Sequence, residues 1–234
     1  MATKVIPIKQ ITAWSFSRYS DYKKCPALAK YKHIDKLKEP GSAAMDRGTA
    51  IHKLAEDYTL GKIKALPPEL LSFKPEFAAV KKLKSKMVEE QWAYKADWSP
   101  AAWNDWSGAW LRVKMDLAFI RDDNTLVVID HKTGKFRPEQ HEAYVEQLEL
   151  YAAAGFVQCP DVLAVEPRLW YIDEGLDWPP EDTKPYLAKD AKKLRTTWEK
   201  RVKPMLNDTT FAPKPGDACR WCHFRRSNGG PCKF

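Results

Sequence analysis

The stretch LRVKMDLAFIRDDNTLVVIDHK, residues 111–132, decides the fold. Leu111 to Ile120 alternates, with Val113, Met115, Leu117 and Phe119 on one face and Arg112, Lys114, Asp116 and Ala118 on the other, which is the period of a strand. Asp122-Asp123-Asn124 supplies a turn. Thr125-Leu126-Val127-Val128-Ile129-Asp130 follows as a continuous apolar run, the pattern of a central strand buried on both faces. A three-residue loop pairs Arg121 with Thr125 and therefore Asp116 with Asp130. A loop one residue longer or shorter would send the two carboxylates to opposite faces. Opposed carboxylates repel across ~4.5–5.5 Å. A divalent cation between them offsets the repulsion, and hard oxygen ligands suit Mg²⁺ or Mn²⁺.

Lys132 lies two residues beyond Asp130 and projects to the same face, whereas His131 points away and offers its backbone carbonyl. A carboxylate-held metal beside an ammonium suits attack of water on a phosphodiester. Alone, Asp-x-Lys reads equally as an ion pair at a strand end before the turn Thr133-Gly134. Two other segments bear on the choice. Arg47-Gly48-Thr49-Ala50-Ile51-His52 puts His52 on a predicted helix with Glu56 one turn later, and Gln147 and Tyr151 stand four apart on another.

Outward from the hairpin, Ser15 opens a short helix that ends near Cys25-Pro26, and Ser42 caps a helix over about 43–60 that stops at Gly61. Residues 74–91 read as a basic amphipathic helix, with Phe77, Val80, Leu83, Met87 and Val88 opposing five lysines. Pro138 opens a helix over about 139–155 closed by Gly155. Val162 to Ile172 is a further strand, residues 183–206 a long basic helix ending near Pro204, and the tail from Phe211 is irregular. This order predicts an α/β (α+β) fold, a mixed central sheet flanked by helices, rather than a doubly wound Rossmann unit. No glycine-rich phosphate loop is present, which disfavours nucleotide hydrolysis.

The 234 residues carry 39 Lys+Arg against 31 Asp+Glu, a net charge of +8. The excess gathers in residues 1–40 and 214–234, where clusters of this kind suit a phosphate backbone. The run Ala152-Ala153-Ala154-Gly155-Phe156-Val157 is too short for a membrane helix, so no membrane role is expected. Residues 1–7 lack an apolar export segment, which points to the cytoplasm and to reduced or metal-bound cysteines. Cys219, Cys222 and Cys232 cluster near the C-terminus; a fourth ligand has to come from His223, Cys25 or Cys159. Cys219-x-x-Cys222-His223 also matches a c-type haem attachment pattern, which the missing export signal argues against. Cys159, beside Pro160, reads as a small buried or half-buried residue.

Gly48-x-x-x-His52, Asp116, Asp130-His131-Lys132-Thr133-Gly134 and Gln147-x-x-x-Tyr151, in this order and from about Ser15 to the C-terminus, resemble the RecB-type nucleases of the PD-(D/E)XK superfamily. The resemblance implies a restriction-endonuclease-like fold. It makes His52, Asp116 and Asp130 metal ligands together with the His131 carbonyl, and Lys132 the catalytic lysine. Gln147 would orient the nucleophile or scissile phosphate, Tyr151 would contact the DNA or support that glutamine, Arg47 would contact DNA, and Glu56 would lie behind His52 or belong to a second metal. In the iron–sulfur subset of this family one cysteine precedes the nuclease histidine and three follow the core. That arrangement implies a [4Fe–4S] cluster on Cys25, Cys219, Cys222 and Cys232, with Zn²⁺ on the same thiols as the rival.

On this resemblance the chain is expected to be one nuclease domain, residues 1–234. Its core would cover about 43–175, with an iron–sulfur clasp built from about 15–35 and 207–234. The expected activity is Mg²⁺- or Mn²⁺-dependent exonucleolysis of DNA from single-stranded ends, in recombination, repair or CRISPR-type processing. A recombination, helicase or CRISPR adaptation protein is the expected partner. The alternative is a non-catalytic nucleic-acid-binding subunit of a helicase–nuclease assembly. Basic helices around 74–86 and 183–203, with exposed members of the set Trp92, Trp98, Trp103 and Trp106, are the expected DNA groove.

Overall fold

The chain reverses at Asp122-Asp123-Asn124 through a three-residue loop, with Asn124 in the left-handed region (φ 60°) and its N–H donating to the Arg121 carbonyl at 3.0 Å. Such loops end in a left-handed residue, a conformation asparagine tolerates well. The strands on either side are β5 (Leu117–Ile120) and β6 (Thr125–Lys132), in the expected register: Leu117 faces Ile129, and Ile120 faces Leu126. The structure, a computed structural model, describes residues 10–234. The stretch read for an export signal, residues 1–7, lies outside them.

Two compact units make up the chain, Gly41–Thr196 and the described residues up to Pro40 together with Thr197–Phe234. In the larger unit β6 is the centre of a six-stranded mixed sheet. It pairs antiparallel with β5 and parallel with β7 (Ala164–Tyr171); β1 (Met87–Val88) flanks β5, and β8 (Leu176–Trp178) and β9 (Tyr186–Leu187) pair with β7. Mixed pairing with helices on both faces is the α/β architecture expected from the element order.

Both faces of β6 are covered. Val127 and Ile129, with Leu117 and Trp170, pack against Ile51, Ala55 and Tyr58 of α3 (Ala43–Thr59) and Phe77 and Val80 of α4 (Lys74–Lys82). Leu126 and Val165 turn the other way, toward α5 (His141–Gln158). The predicted closure of this helix at Gly155 is corrected: α5 runs on to Gln158, and Gly155 is a packing position. A Cβ there would lie 2.9 Å from Leu126 Cδ2 and 3.2 Å from Val165 Cγ1, so only glycine lets the helix approach the sheet this closely. Gly155→Ala is expected to destabilise the protein by ~1–2 kcal/mol, because overpacking outweighs the ~1 kcal/mol gain in helix propensity. Urea denaturation of the variant against the native chain checks this.

Two further expectations are corrected. The helix over 74–91 stops at Lys82: Leu83 turns extended (ψ 130°), and Lys86 Nζ donates to the carbonyls of Lys81 and Leu83 at 3.1 and 2.7 Å, satisfying the open helix end. Met87 and Val88 enter β1 instead. The long strand over 111–120 is interrupted at Met115-Asp116. Its first half, β4 (Leu111–Lys114), pairs with β2 (Gln91–Tyr94) in a separate three-stranded sheet with β3 (Pro100–Ala101). The helix expected over 183–206 is α6 (Ala191–Asn207), which continues through Pro204.

In the smaller unit, α1 (Phe16–Lys24) is capped by Ser15 Oγ, which accepts from the Arg18 amide at 3.4 Å. Cys25 ends α1 and also precedes α2 (Pro26–Ala29), where Pro26 needs no amide partner. Trp198 stacks on Trp14 with ring centroids 5.3 Å apart and meets Tyr19 edge-on at 5.1 Å. Asp21 is held by Lys32 at 3.0 Å and His33 at 2.9 Å. Among the described residues no helix is long and apolar enough to cross a membrane.

Candidate active site

The side-chain period of β6 sorts the site. Asp130 and Lys132 fall on the α5 face, His131 between them on the face of α3 and α4. On the α5 face, Lys132 Nζ lies 2.7 Å from Asp130 Oδ2 and donates to Gln147 Oε1 at 3.1 Å. Gln147 Nε2 donates to Tyr151 Oη at 2.8 Å and to Asp130 Oδ1 at 3.2 Å, and Tyr151 donates to the same carboxylate oxygen at 2.5 Å. Four residues from two elements thus form one closed network. Gln147 and Tyr151, a polar edge when read on their own, are both buried, one helical turn apart on α5. Burial, and after it the negative Asp130, pushes the Tyr151 phenol well above its ordinary range, so it is a neutral donor.

Asp116 stands where the chain leaves the ladder, one residue before β5. Its Oδ2 accepts the His131 backbone N–H at 2.6 Å, and its Oδ1 lies 3.0 Å from His52 Nδ1 on α3. Burial works against its charge, but the His52 bond, the two imidazoles and the amide together hold Asp116 below the usual carboxylate range. The same bond lifts His52, against the effect of its burial.

The His131 side chain carries information that the sequence reading missed. Its ring packs among Phe77, Trp170 and His52, with centroids 5.6, 5.8 and 5.9 Å away. Burial pushes it below its ordinary range, and neither ring nitrogen has a hydrogen-bond partner. One ligand atom from each of His52, Asp116 and His131 lies within 4.8 Å of the others, a spacing that could hold a metal ion. The available signal was parity: His131 shares its face with the core residues Val127 and Ile129, on which α3 also packs.

Other candidates lie elsewhere. Glu56 bonds Lys62 at 2.8 Å and Lys53 at 3.0 Å, which engages both of its oxygens. Arg47 is clamped by Asp173 through two bonds of 2.6 and 2.8 Å. A Cβ on Gly48 would meet Thr133 Oγ1 at 3.0 Å, so α3 passes close over the turn that follows Lys132. Trp92 and Trp98, counted among the exposed candidates, are 3% and 4% exposed; Trp106 is 74% exposed. In the smaller unit, Cys25, Cys219, Cys222 and Cys232 line one largely apolar cavity, and His223 does not. Cys159 lies at the end of α5 in the larger unit.

No curated protein matches the chain. Among solved structures, that of SSO0001 is similar at 13% identity and a TM-score of 0.40, with 93% of this chain and 85% of that one covered. The family model of the PD-(D/E)XK nuclease superfamily matches residues 13–227, a span that includes the hairpin, α3 and α5. The chain belongs to the PD-(D/E)XK nuclease superfamily, a group of metal-dependent nucleases.

Proposed function

We propose that the chain is a RecB-type DNA exonuclease of the iron–sulfur subset, hydrolysing phosphodiester bonds from single-stranded ends with Mg²⁺ or Mn²⁺. The observation that carries this reading is the closed network of Asp130, Lys132, Gln147 and Tyr151 beside the Asp116–His52 pair. An ordinary surface ion pair at a strand end would not recruit two buried polar residues from a second element.

The donor set fits a divalent cation. It holds two carboxylates and the His52 imidazole, whose Nδ1 already lies 3.0 Å from Asp116 Oδ1, a mix of oxygen and nitrogen donors that suits such an ion. His52, Asp116, Asp130 and the His131 carbonyl would hold the ion. When bound, it supplies an acidified water and neutralises charge that builds on the phosphate. Lys132, whose ammonium is held by both Asp130 and Gln147, presents a preset positive charge to the phosphate oxygens. Gln147 fixes Lys132 and Tyr151 against each other, so neither has to be ordered as the reaction proceeds. Arg47 reaches DNA by exchanging Asp173 for a phosphate.

The same reading places a [4Fe–4S] cluster on Cys25, Cys219, Cys222 and Cys232, so that segments 15–35 and 207–234 act as a clasp and about 43–175 as the core. In support, the four thiols share one cavity, and the Lys214 backbone N–H donates to Cys25 Sγ at 3.3 Å, the kind of bond that tunes cluster sulfurs. Burial raises the Cys222 thiol, and Cys232, Cys219 and Cys25 add to the rise, as expected of sulfurs gathered together. DNA is the partner this reading requires; a helicase or recombination protein would supply unwinding.

The test is degradation of single strands labelled at the 5′ or the 3′ end, with Mn²⁺ supplied or omitted. Metal-dependent shortening from one end is expected. Internal fragments would replace the exonuclease by an endonuclease, and binding without cleavage would leave the non-catalytic subunit.

A further inference from the structure

We propose that Trp106 is a stacking platform for an unpaired base of the strand that the active site cuts. This rests on the nuclease reading and adds to it a specific contact. Single exposed aromatic side chains are ordinary on protein surfaces and mean nothing by themselves. Trp106 differs because the loop between β3 and β4 is built to present it.

Arg112, on β4, lies beneath the indole with its guanidinium carbon 4.7 Å from the ring centroid. That guanidinium is itself fixed by the loop: Nε donates to the Trp103 carbonyl at 3.0 Å and NH2 to the Asp105 carbonyl at 2.8 Å. Asp105 Oδ1 in turn accepts from the Gly108 amide at 2.8 Å, the Ser107 hydroxyl at 3.0 Å and the Ser107 amide at 3.2 Å. A Cβ on Gly108 would come within 2.3 Å of Asp105 Oδ2, so a larger residue there would require the carboxylate to shift. The turn is therefore held from inside, and the indole keeps a cation against one face while 74% of its surface stays open.

That geometry selects an occupant. Every base has a flat face, stacking on an aromatic ring tolerates any sequence, and the guanidinium adds cation–π attraction and a positive charge for the flanking phosphate. Bases inside a duplex are already stacked on their neighbours, which leaves unpaired strands and frayed ends as the fitting partners. The position also suits cleavage. Arg112 and Asp116 are four residues apart, so their Cα atoms are at most about 14 Å from each other, a short reach for a strand whose phosphate lies at the carboxylates.

The experiment measures affinity for a fluorescein-labelled single-stranded oligodeoxynucleotide without added divalent metal. It is repeated with a strand of the same length that carries abasic sites through its terminal segment. Trp106→Ala is expected to bind the intact strand about 5- to 150-fold more weakly than the native chain, the range set by loss of one stacked base. The abasic strand should bind both proteins alike, and Trp106→Phe should recover most of the loss. Equal affinity of Trp106→Ala and native protein for the intact strand overturns the platform, as does an equal loss on the abasic strand, which would mark a structural effect. If the native protein binds the strand and, once Mn²⁺ is added, degrades it, while Trp106→Ala does both equally well, only the platform falls. If the native protein binds neither strand and degrades neither once Mn²⁺ is added, the nuclease reading falls with it.

Discussion

Asp130→Asn is expected to lower metal-dependent DNA hydrolysis by about 10³-fold while the protein stays folded. Asparagine keeps the shape of the side chain and an oxygen that can accept from Tyr151 and Gln147, both of which now donate to Asp130 Oδ1. What it removes is the charge that the proposed cation and Lys132 require. Lys132 loses the oxygen it contacts at 2.7 Å but keeps Gln147 Oε1 at 3.1 Å. The expected stability cost is therefore only ~1–2 kcal/mol, a shift of several degrees in Tm for a chain of this size. Turnover at saturating Mn²⁺, Mn²⁺ binding by calorimetry and thermal melting separate the terms. Catalysis within tenfold of native, with intact folding, would remove Asp130 from the site.

Cys25→Ser is expected to yield iron-free, colourless protein whose Tm is lower by about 10–20 °C. Cys25 and Cys219 are separated by roughly 190 residues, and closing a loop that long restricts the unfolded chain severely. By the chain-entropy scale for covalent cross-links the proposed clasp would contribute ~5 kcal/mol, a large share of the ~5–15 kcal/mol that holds a typical domain folded. Cys159→Ser is the control: Cys159 belongs to the other unit and is not among the residues that line the cavity of the other four cysteines, so iron content should not change. Anaerobically prepared native protein with zinc instead of iron would transfer the clasp to the rival metal. A Cys25→Ser variant with native iron and native Tm would dispose of the clasp on these thiols.

Local features were legible where local chemistry decides them. Ser15 and Ser42 start helices because a hydroxyl satisfies an open amide, and each accepts from the amide three residues on. The hairpin register followed from loop length, and the structure shows Asn124 in the left-handed position that such a loop needs. The failures occurred where a pattern continued past a change of partner. Leu83, Met87 and Val88 suit a helical stripe as well as a strand edge, and only the demand of β5 for a neighbour sent Met87 and Val88 into the sheet. Leu111 to Ile120 alternates throughout, yet its halves join different sheets because β2 competes for the first half.

The candidate site divides in the same way. The period of a strand places Asp130 and Lys132 on one face and His131 on the other, so sequence by itself determined which side chains of β6 can cooperate. It also determined that Gln147 and Tyr151 share a face of α5, since residues four apart on a helix lie above one another. It did not determine that this face meets Asp130, that Glu56 turns to Lys53 and Lys62, or that the His131 ring closes on His52 and Asp116. Those outcomes depend on how α3 and α5 dock on the sheet, and docking is set by the summed packing of many apolar side chains that no short motif encodes.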